Sequence, residues 1–117
     1  MGEEISAHLD LEALEMLKEI MDDEFSLLLN TFLTDALERM EQINLAINDQ
    51  NAEDIKRAAH SFKGSSANIG AHVLQSLCLV LEDAGHNGDI LKSSEMATNI
   101  EKELIITAQL LKSNYLA

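Results

Sequence analysis

The 117-residue chain contains no proline and no tryptophan, and aromatic residues make up only 3% of it. Sheets draw on aromatic and β-branched side chains, whereas this chain is rich in leucine, alanine, glutamate and isoleucine, which suit helices. The absence of proline also removes the strongest breaker of helices. One helical domain with one aliphatic core is therefore the expected architecture.

Cysteine and positive charge are scarce as well. The single cysteine, Cys78, excludes an internal disulfide and fits a reducing compartment. No apolar run approaches the roughly 18 residues of a membrane span, and the N-terminus MGEEISAHLD lacks the features of a signal peptide. The net charge of −13 argues against nucleic acids and acidic membranes as partners. We therefore expect a cytoplasmic monomer whose partner offers a basic or neutral face.

Two amphipathic segments fill the first half of the chain. A short helix is predicted from about Asp10 to Ile20, with Asp10 as its N-cap and Leu11, Leu14 and Leu17 on one stripe. The acidic triplet at 22–24 then opens a second, longer helix, because negative charge suits a helix N-terminus. The apolar stripe of this helix consists of Phe25, Leu28, Leu29, Phe32, Ala36, Met40, Ile43 and Ile47.

Three further helices are predicted in the second half. The third runs from about 52 to 68 and stops at Gly70, the fourth ends at 85–88, and the fifth begins near Asp89. The apolar positions of the last two are Val73, Leu74, Leu77, Cys78, Val80, Leu81, Ile90, Leu91, Ile100, Leu104, Ala108 and Leu111. Four long helices with short connections predict an all-α, up-down four-helix bundle with an additional short N-terminal helix.

The third helix contains the segment AAHSFKGSSANIG, in which poor helix formers surround a histidine and a lysine. At about 100° per residue, Ile55, Ala58, Phe62 and Ile69 fall opposite His60 and form the buried face. The exposed face holds Glu53, Lys56, Arg57, Lys63, Gly64 and Ala67. Because the helical phase argues against a buried histidine, His60 is either an idle surface residue or a functional one.

Glycine and charge near the histidine favour function. A mid-helix glycine costs roughly 1 kcal/mol relative to alanine, and Gly64 falls on the solvent side beside His60, where it and Ala67 leave room for a macromolecular partner. No Asp or Glu occurs from 55 to 81, although the chain has 21 of them. This pattern predicts that His60 is phosphorylated, with Lys63 pairing with the phosphoryl oxygens.

The motif formed by His60, Lys63, Gly64, Ser65, Ser66, Ile69 and Gly70, continued by LQSLCLVLEDAGHNGD, resembles histidine-containing phosphotransfer (HPt) domains. The specific match covers about residues 58–89. The resemblance implies a helical bundle whose protruding histidine accepts a phosphoryl group from an aspartyl phosphate of one receiver domain and passes it to another. It also implies a carrier that is not an enzyme, has no nucleotide site and needs no cofactor, with magnesium bound by the receiver.

The resemblance assigns roles by position in the motif. His60 would be the phosphorylated residue, Lys63 its electrostatic partner and Gly64 the residue that provides clearance. Some members carry a glutamine on the next helix that hydrogen-bonds near the histidine; here the position is Glu82, a carboxylate that would repel the phosphoryl group unless turned away. The partners would be receiver domains of a hybrid sensor histidine kinase and a response regulator. The predicted docking residues are Lys56, Arg57, Ser61, Ala67, Leu14, Leu17 and Leu28.

Two alternatives remain open. The first is the N-terminal phosphoacceptor domain of a chemotaxis-type kinase. The start at Met1 and the end in SNYLA count against this alternative and favour a single complete domain over 1–117. The second is a helical interaction module without phosphoryl chemistry, which leaves Gly64 and the acid-free segment unexplained. The sequence has no glycine-rich nucleotide loop, HExxH motif or paired cysteines. We expect ordinary surface or loop roles for His8, His72 and His86, and core packing for Met16, Met21 and Met40.

Overall fold

The protein is all-α in a computed structural model that describes residues 2–116, and this part of the chain contains no strand. Its helices are α1 (Gly2–Ser6), α2 (Leu11–Met21), α3 (Phe25–Asn48), α4 (Ala52–Asn68), α5 (His72–His86) and α6 (Ile90–Tyr115). The predicted bounds of α4 are confirmed, while α1 has no predicted counterpart. The acidic triplet Asp22–Glu24 forms a 3-10 turn before α3 and not the first turn of that helix.

The four long helices form the predicted up-down bundle. Helix α4 packs on α3 and α5, and α6 packs on the same two helices from the other side. Connections of three residues at 49–51, 69–71 and 87–89 join them, which makes consecutive helices antiparallel neighbours. The backbone N–H of Asp10 donates to the carbonyl of Gly70 at 2.8 Å, so the start of α2 lies at the α4–α5 connection.

Polar caps and a glycine define the helix ends. The side chain of Asp10 accepts a hydrogen bond from the N–H of Ala13 at 3.1 Å, which confirms the predicted N-cap of α2. Asn51 and Asp89 cap α4 and α6 in the same way. Gly70 follows α4 with φ of +74°, a left-handed conformation that favours glycine and confirms the predicted stop.

The core is aliphatic, and most of the predicted stripes face it. On α3 the buried positions are Phe25, Leu29, Phe32, Ala36, Met40, Ile43 and Ala46. Three predicted packing residues are instead exposed: Met16 at 56%, Val80 at 40% and Leu91 at 79%. The helical period explains the corrections at Met16 and Leu91, because each lies two positions, or about 160°, from a buried residue, Leu14 and Ser93 respectively. Among the described residues, no helix has the length and apolar character needed to cross a membrane.

Candidate functional site

Helix α4 separates a buried face from an open one. Ile55, Ala58, Phe62 and Ile69 are all buried in the core. The side chain of His60, on the opposite face, is 69% exposed. The prediction that His60 is not a core histidine is therefore confirmed.

The glycine next to this histidine is not needed for packing within the chain. A Cβ atom built on Gly64 meets no other atom within 4 Å. Gly85 is the opposite case, because a Cβ there would lie 2.8 Å from the backbone nitrogen of Lys56, where α5 crosses close to α4. Gly64 and Ala67 are both exposed, so the surface beside His60 has low relief. A flat or convex partner can therefore approach the imidazole.

Glu82 of α5 connects the histidine and the lysine of the motif. Its Oε2 lies 2.8 Å from Nδ1 of His60, and its Oε1 accepts a hydrogen bond from Nζ of Lys63 at 2.6 Å. Glu82 therefore makes the contact near the histidine in the unphosphorylated protein, whereas the expected repulsion concerns the phosphoryl group and stays a prediction. The ammonium group of Lys63 compensates the carboxylate and holds it beside the ring.

The charge of Glu82 determines which nitrogen of the neutral imidazole carries the proton. The hydrogen bond from Lys63 lowers the pKa of Glu82, partial burial opposes this shift, and His60 supports it. An ionised carboxylate only accepts hydrogen bonds, so Nδ1 of His60 carries a proton and donates a hydrogen bond to Glu82. In the neutral ring Nε2 then holds the lone pair, and within residues 2–116 it has no hydrogen-bond partner. The nucleophilic nitrogen of the site is therefore Nε2.

The groups around this cluster offer no second nucleophile. Burial, with a smaller contribution from Glu82, raises the pKa of the Cys78 thiol to about 12, so the thiol stays neutral. The described part of the chain contains no group of three His, Cys, Asp or Glu residues that could hold a metal ion.

The predicted docking residues fall into two groups. Lys56, Arg57, Ser61 and Ala67 lie on or beside the exposed face of α4, although Lys56 is half-buried. The prediction for Leu14 is wrong, because its side chain is fully buried and faces the core. The two remaining docking candidates are half-buried against the core, namely Leu17 and Leu28.

A second histidine contact was missed by sequence reasoning. Nδ1 of His8 lies 2.6 Å from Oε2 of Glu103, and the two side chains are 21% and 9% exposed. His8 lies in the loop between α1 and α2, as predicted, but it is half-buried and paired with Glu103. No sequence signal indicates this pair, because its members are 95 positions apart. His72 contacts the carbonyl oxygen of Ser6 at 3.1 Å, and His86 is exposed as predicted.

Comparisons with known proteins agree with this geometry. A family model described as "Hpt domain" matches residues 27–111. The crystal structure of histidine-containing phosphotransfer protein B (HptB) from Pseudomonas aeruginosa PAO1 is 36% identical, with a TM-score of 0.89 over 91% of this chain and 92% of that one. A rice protein described as a histidine-containing phosphotransfer protein is 18% identical, with a TM-score of 0.65 over 92% and 84% of the two chains, and shows the fold alone.

A curated relative is much longer than this chain. The sensor protein TorS of Escherichia coli (strain K12) is 41% identical over 51 residues. That segment is 44% of this chain but only 6% of TorS, so the similarity concerns one small part of the sensor protein. The family match spans most of the chain and includes the whole of α4 and α5. The protein therefore belongs to the Hpt domain family.

Proposed function

We propose that this protein is a histidine phosphotransfer carrier in a two-component phosphorelay and that His60 is its phosphorylated residue. The observation that carries the proposal is the state of this imidazole: it is exposed, its Nδ1 is bound to Glu82, and its Nε2 is open to solvent. Membership of the Hpt family and the similarity to HptB support the same function.

The transfer step needs only groups that the two proteins supply. The lone pair of Nε2 attacks the phosphorus atom of an aspartyl phosphate on a receiver domain. An N–P bond forms while the P–O bond to the aspartate breaks, and the aspartate leaves as a carboxylate. The ring keeps its proton on Nδ1 and gains positive charge, which Glu82 partly compensates. The reverse reaction with a second receiver passes the phosphoryl group on.

Lys63 is placed to stabilise the added charge. Before transfer its ammonium group donates to Glu82 at 2.6 Å. An ammonium group has three donors, so Lys63 can keep this contact and also donate to a phosphoryl oxygen. The lysine would thus reduce the repulsion between the phosphoryl group and Glu82.

The proposal also includes the partners, the carrier role and the magnesium site that the family resemblance implies. The partners are receiver domains of a hybrid sensor kinase and a response regulator, and the protein acts as a carrier without kinase activity. Magnesium, where transfer uses it, is bound by the receiver and not by this chain. A monomeric state, a cytoplasmic location and a single domain over 1–117 stay predictions.

A labelling experiment tests the assignment of His60. Receiver domains carrying radioactive aspartyl phosphate are incubated with the protein, and the label on the protein is examined for the acid lability and base stability of phosphohistidine. We expect label on the wild type and none on His60→Gln, with equal helix content by circular dichroism. His86→Gln, the same change at an exposed histidine of α5, is the matched control and keeps the label. Normal labelling of His60→Gln would refute the assignment, and absence of label from the wild type would favour an interaction module.

A further inference from the structure

Both arginines of the chain line the same groove. Arg39 of α3 and Arg57 of α4 border a cavity of about 510 Å³ between these two helices. Ser61, the residue that follows His60, forms part of the same wall. The groove therefore lies directly beside the exposed face of α4, on its α3 side, whereas Lys63 and Glu82 lie on its α5 side.

Neither guanidinium group is well paired within the described residues. The Nε of Arg39 is buried without a hydrogen-bond partner, and its Nη1 makes only a long contact of 3.4 Å with Gln42. Arg57 is 73% exposed and lies 3.9 Å from one carboxylate oxygen each of Glu53 and Asp54. Exposed pairs at this distance contribute little. A guanidinium has five donors in a fork that fits a carboxylate, so both arginines retain capacity for an acidic ligand.

The rest of the lining indicates what kind of ligand fits. Leu45 at the rim is 62% exposed, and Ala46 and Ala58 form apolar walls. Asp49 and Asp54 also line the groove, so its charge is balanced and a free small anion would gain little there. The lining instead complements a carboxylate side chain that is flanked by apolar groups, as on a protein surface.

We propose that this groove docks an acidic, apolar-flanked segment of the receiver domain while the receiver exchanges its phosphoryl group with His60. The inference rests on the proposed function and adds to it the side from which the receiver approaches. The net charge of −13 repels an acidic segment from most of the surface. The groove is a local exception, because its two arginines offset Asp49 and Asp54 and keep donors for a carboxylate, and it would orient the receiver on the α3 side of His60.

The two sides of α4 then have different roles in phosphoryl transfer. The α5 side holds the groups that act on the phosphoryl charge, Lys63 and Glu82, while the α3 side holds the groups that bind the receiver. Removing the arginines should therefore lower the second-order rate of transfer and leave the maximal rate at saturating receiver unchanged.

The test uses a receiver domain whose aspartyl phosphate labels the wild-type protein. In Arg39→Glu/Arg57→Glu we expect the second-order transfer rate to fall at least about tenfold and to lose its normal dependence on salt. Lys102→Glu/Lys112→Glu, the same charge change on α6, is the matched control and should slow transfer much less. Phosphoramidate, a small phosphoryl donor that needs no docking, should label His60 equally in all these proteins.

A second pair of variants tests the apolar part of the ligand. Leu45→Ser should also lower the second-order rate, whereas Leu91→Ser, at a leucine of α6 that is 79% exposed, should not. An effect of the arginines without an effect of Leu45 would show that charge alone acts and that no apolar flank is bound, which would overturn the proposal.

Two other outcomes would overturn it as well. Equal slowing by the α6 control would show an effect of net charge alone. Loss of phosphoramidate labelling in the arginine variant would place the defect at His60 or in the fold. Failure of the proposed function is distinct from both, because the wild type would then take label neither from a receiver nor from phosphoramidate.

Discussion

Two histidines in this bundle contact a glutamate through Nδ1, yet their surroundings are opposite. The imidazole of His60 lies 2.8 Å from Glu82 and is 69% exposed. The imidazole of His8 lies 2.6 Å from Glu103 and is 21% exposed. Glu82 also binds Lys63, whereas no lysine is paired with Glu103 in the described structure.

The difference shows what a histidine–carboxylate contact indicates by itself. In both pairs the carboxylate orients the ring, so this contact does not identify a functional site. The neighbours of His60 distinguish it: an open Nε2, a cation on the far oxygen of Glu82, and exposed surface at Gly64. His8 is only 21% exposed, no lysine is paired with its glutamate in the described structure, and it joins the segment between α1 and α2 to α6. The first pair suits chemistry and the second suits stability.

The largest expected effect on stability comes from breaking the buried pair. We predict that His8→Ala lowers the free energy of unfolding by about 1–3 kcal/mol, because Glu103 is left buried without its partner. Urea denaturation measures the change. His86→Ala, at an exposed histidine, is the control and should have little effect. An equally small effect of His8→Ala would show that the pair does not hold the N-terminal segment.

Removing the contact between Lys63 and Glu82 should slow phosphoryl transfer more than it lowers the stability of the fold. We predict that Lys63→Ala slows phosphoryl acceptance by about tenfold, equivalent to about 1.4 kcal/mol, because the phosphoryl group loses a charged donor while Glu82 remains. Phosphoramidate labelling measures this rate without a partner. The control is Lys92→Ala, at an exposed lysine of α6. Unchanged labelling of Lys63→Ala would remove the lysine from the proposed site.

Alanine substitutions at Gly64 and Gly85 compare a glycine on open surface with a glycine at a close contact between two helices. Gly64→Ala should raise the free energy of unfolding by about 0.5–1 kcal/mol, because alanine favours the helix and the added Cβ meets no atom within 4 Å. The same variant should transfer more slowly to a receiver. Gly85→Ala should be destabilising, since its Cβ would lie 2.8 Å from the backbone nitrogen of Lys56. A destabilising effect of Gly64→Ala would contradict the idea that this glycine provides clearance.

The smallest expected effect is on acid stability. Because Lys63 lowers the pKa of Glu82 below its usual 4.5, the pair stabilises the folded state above that pH and loses this contribution as pH falls through the lowered pKa. The wild type should therefore lose stability more steeply than Glu82→Gln between about pH 5 and pH 3. Urea denaturation at several pH values measures both slopes. Parallel curves would show that the contact with Lys63 adds nothing to stability.

Patterns among neighbouring residues predicted the fold and the part of the site that lies on α4. The cap at Asp10 predicted the start of α2, and the stop at Gly70 and the 3.6-residue period predicted the end of α4 and the exposure of His60, because these features depend on neighbours in the chain. The contact with Glu82 could not be foreseen in the same way. The acid-free run from 55 to 81 ends one residue before it, and the packing of α5 beside α4 returns a carboxylate to the site.

Contacts between distant segments account for the remaining differences. The pair of His8 and Glu103 joins residues 95 positions apart, and the groove with Arg39 forms only when α3 and α4 pack. Leu14 was assigned to docking because an amphipathic stripe does not reveal whether it faces the core or a partner. The complete burial of Leu14 shows that this position of α2 faces the core.

The three-residue connections of the bundle also bear on how quickly the protein reaches its native state. Most of its packing joins helices that follow one another in the chain, and such low contact order favours folding in microseconds to milliseconds. The chain has no proline, so slow prolyl isomerisation cannot delay this process. Newly synthesised or thermally unfolded molecules should therefore refold in one fast phase.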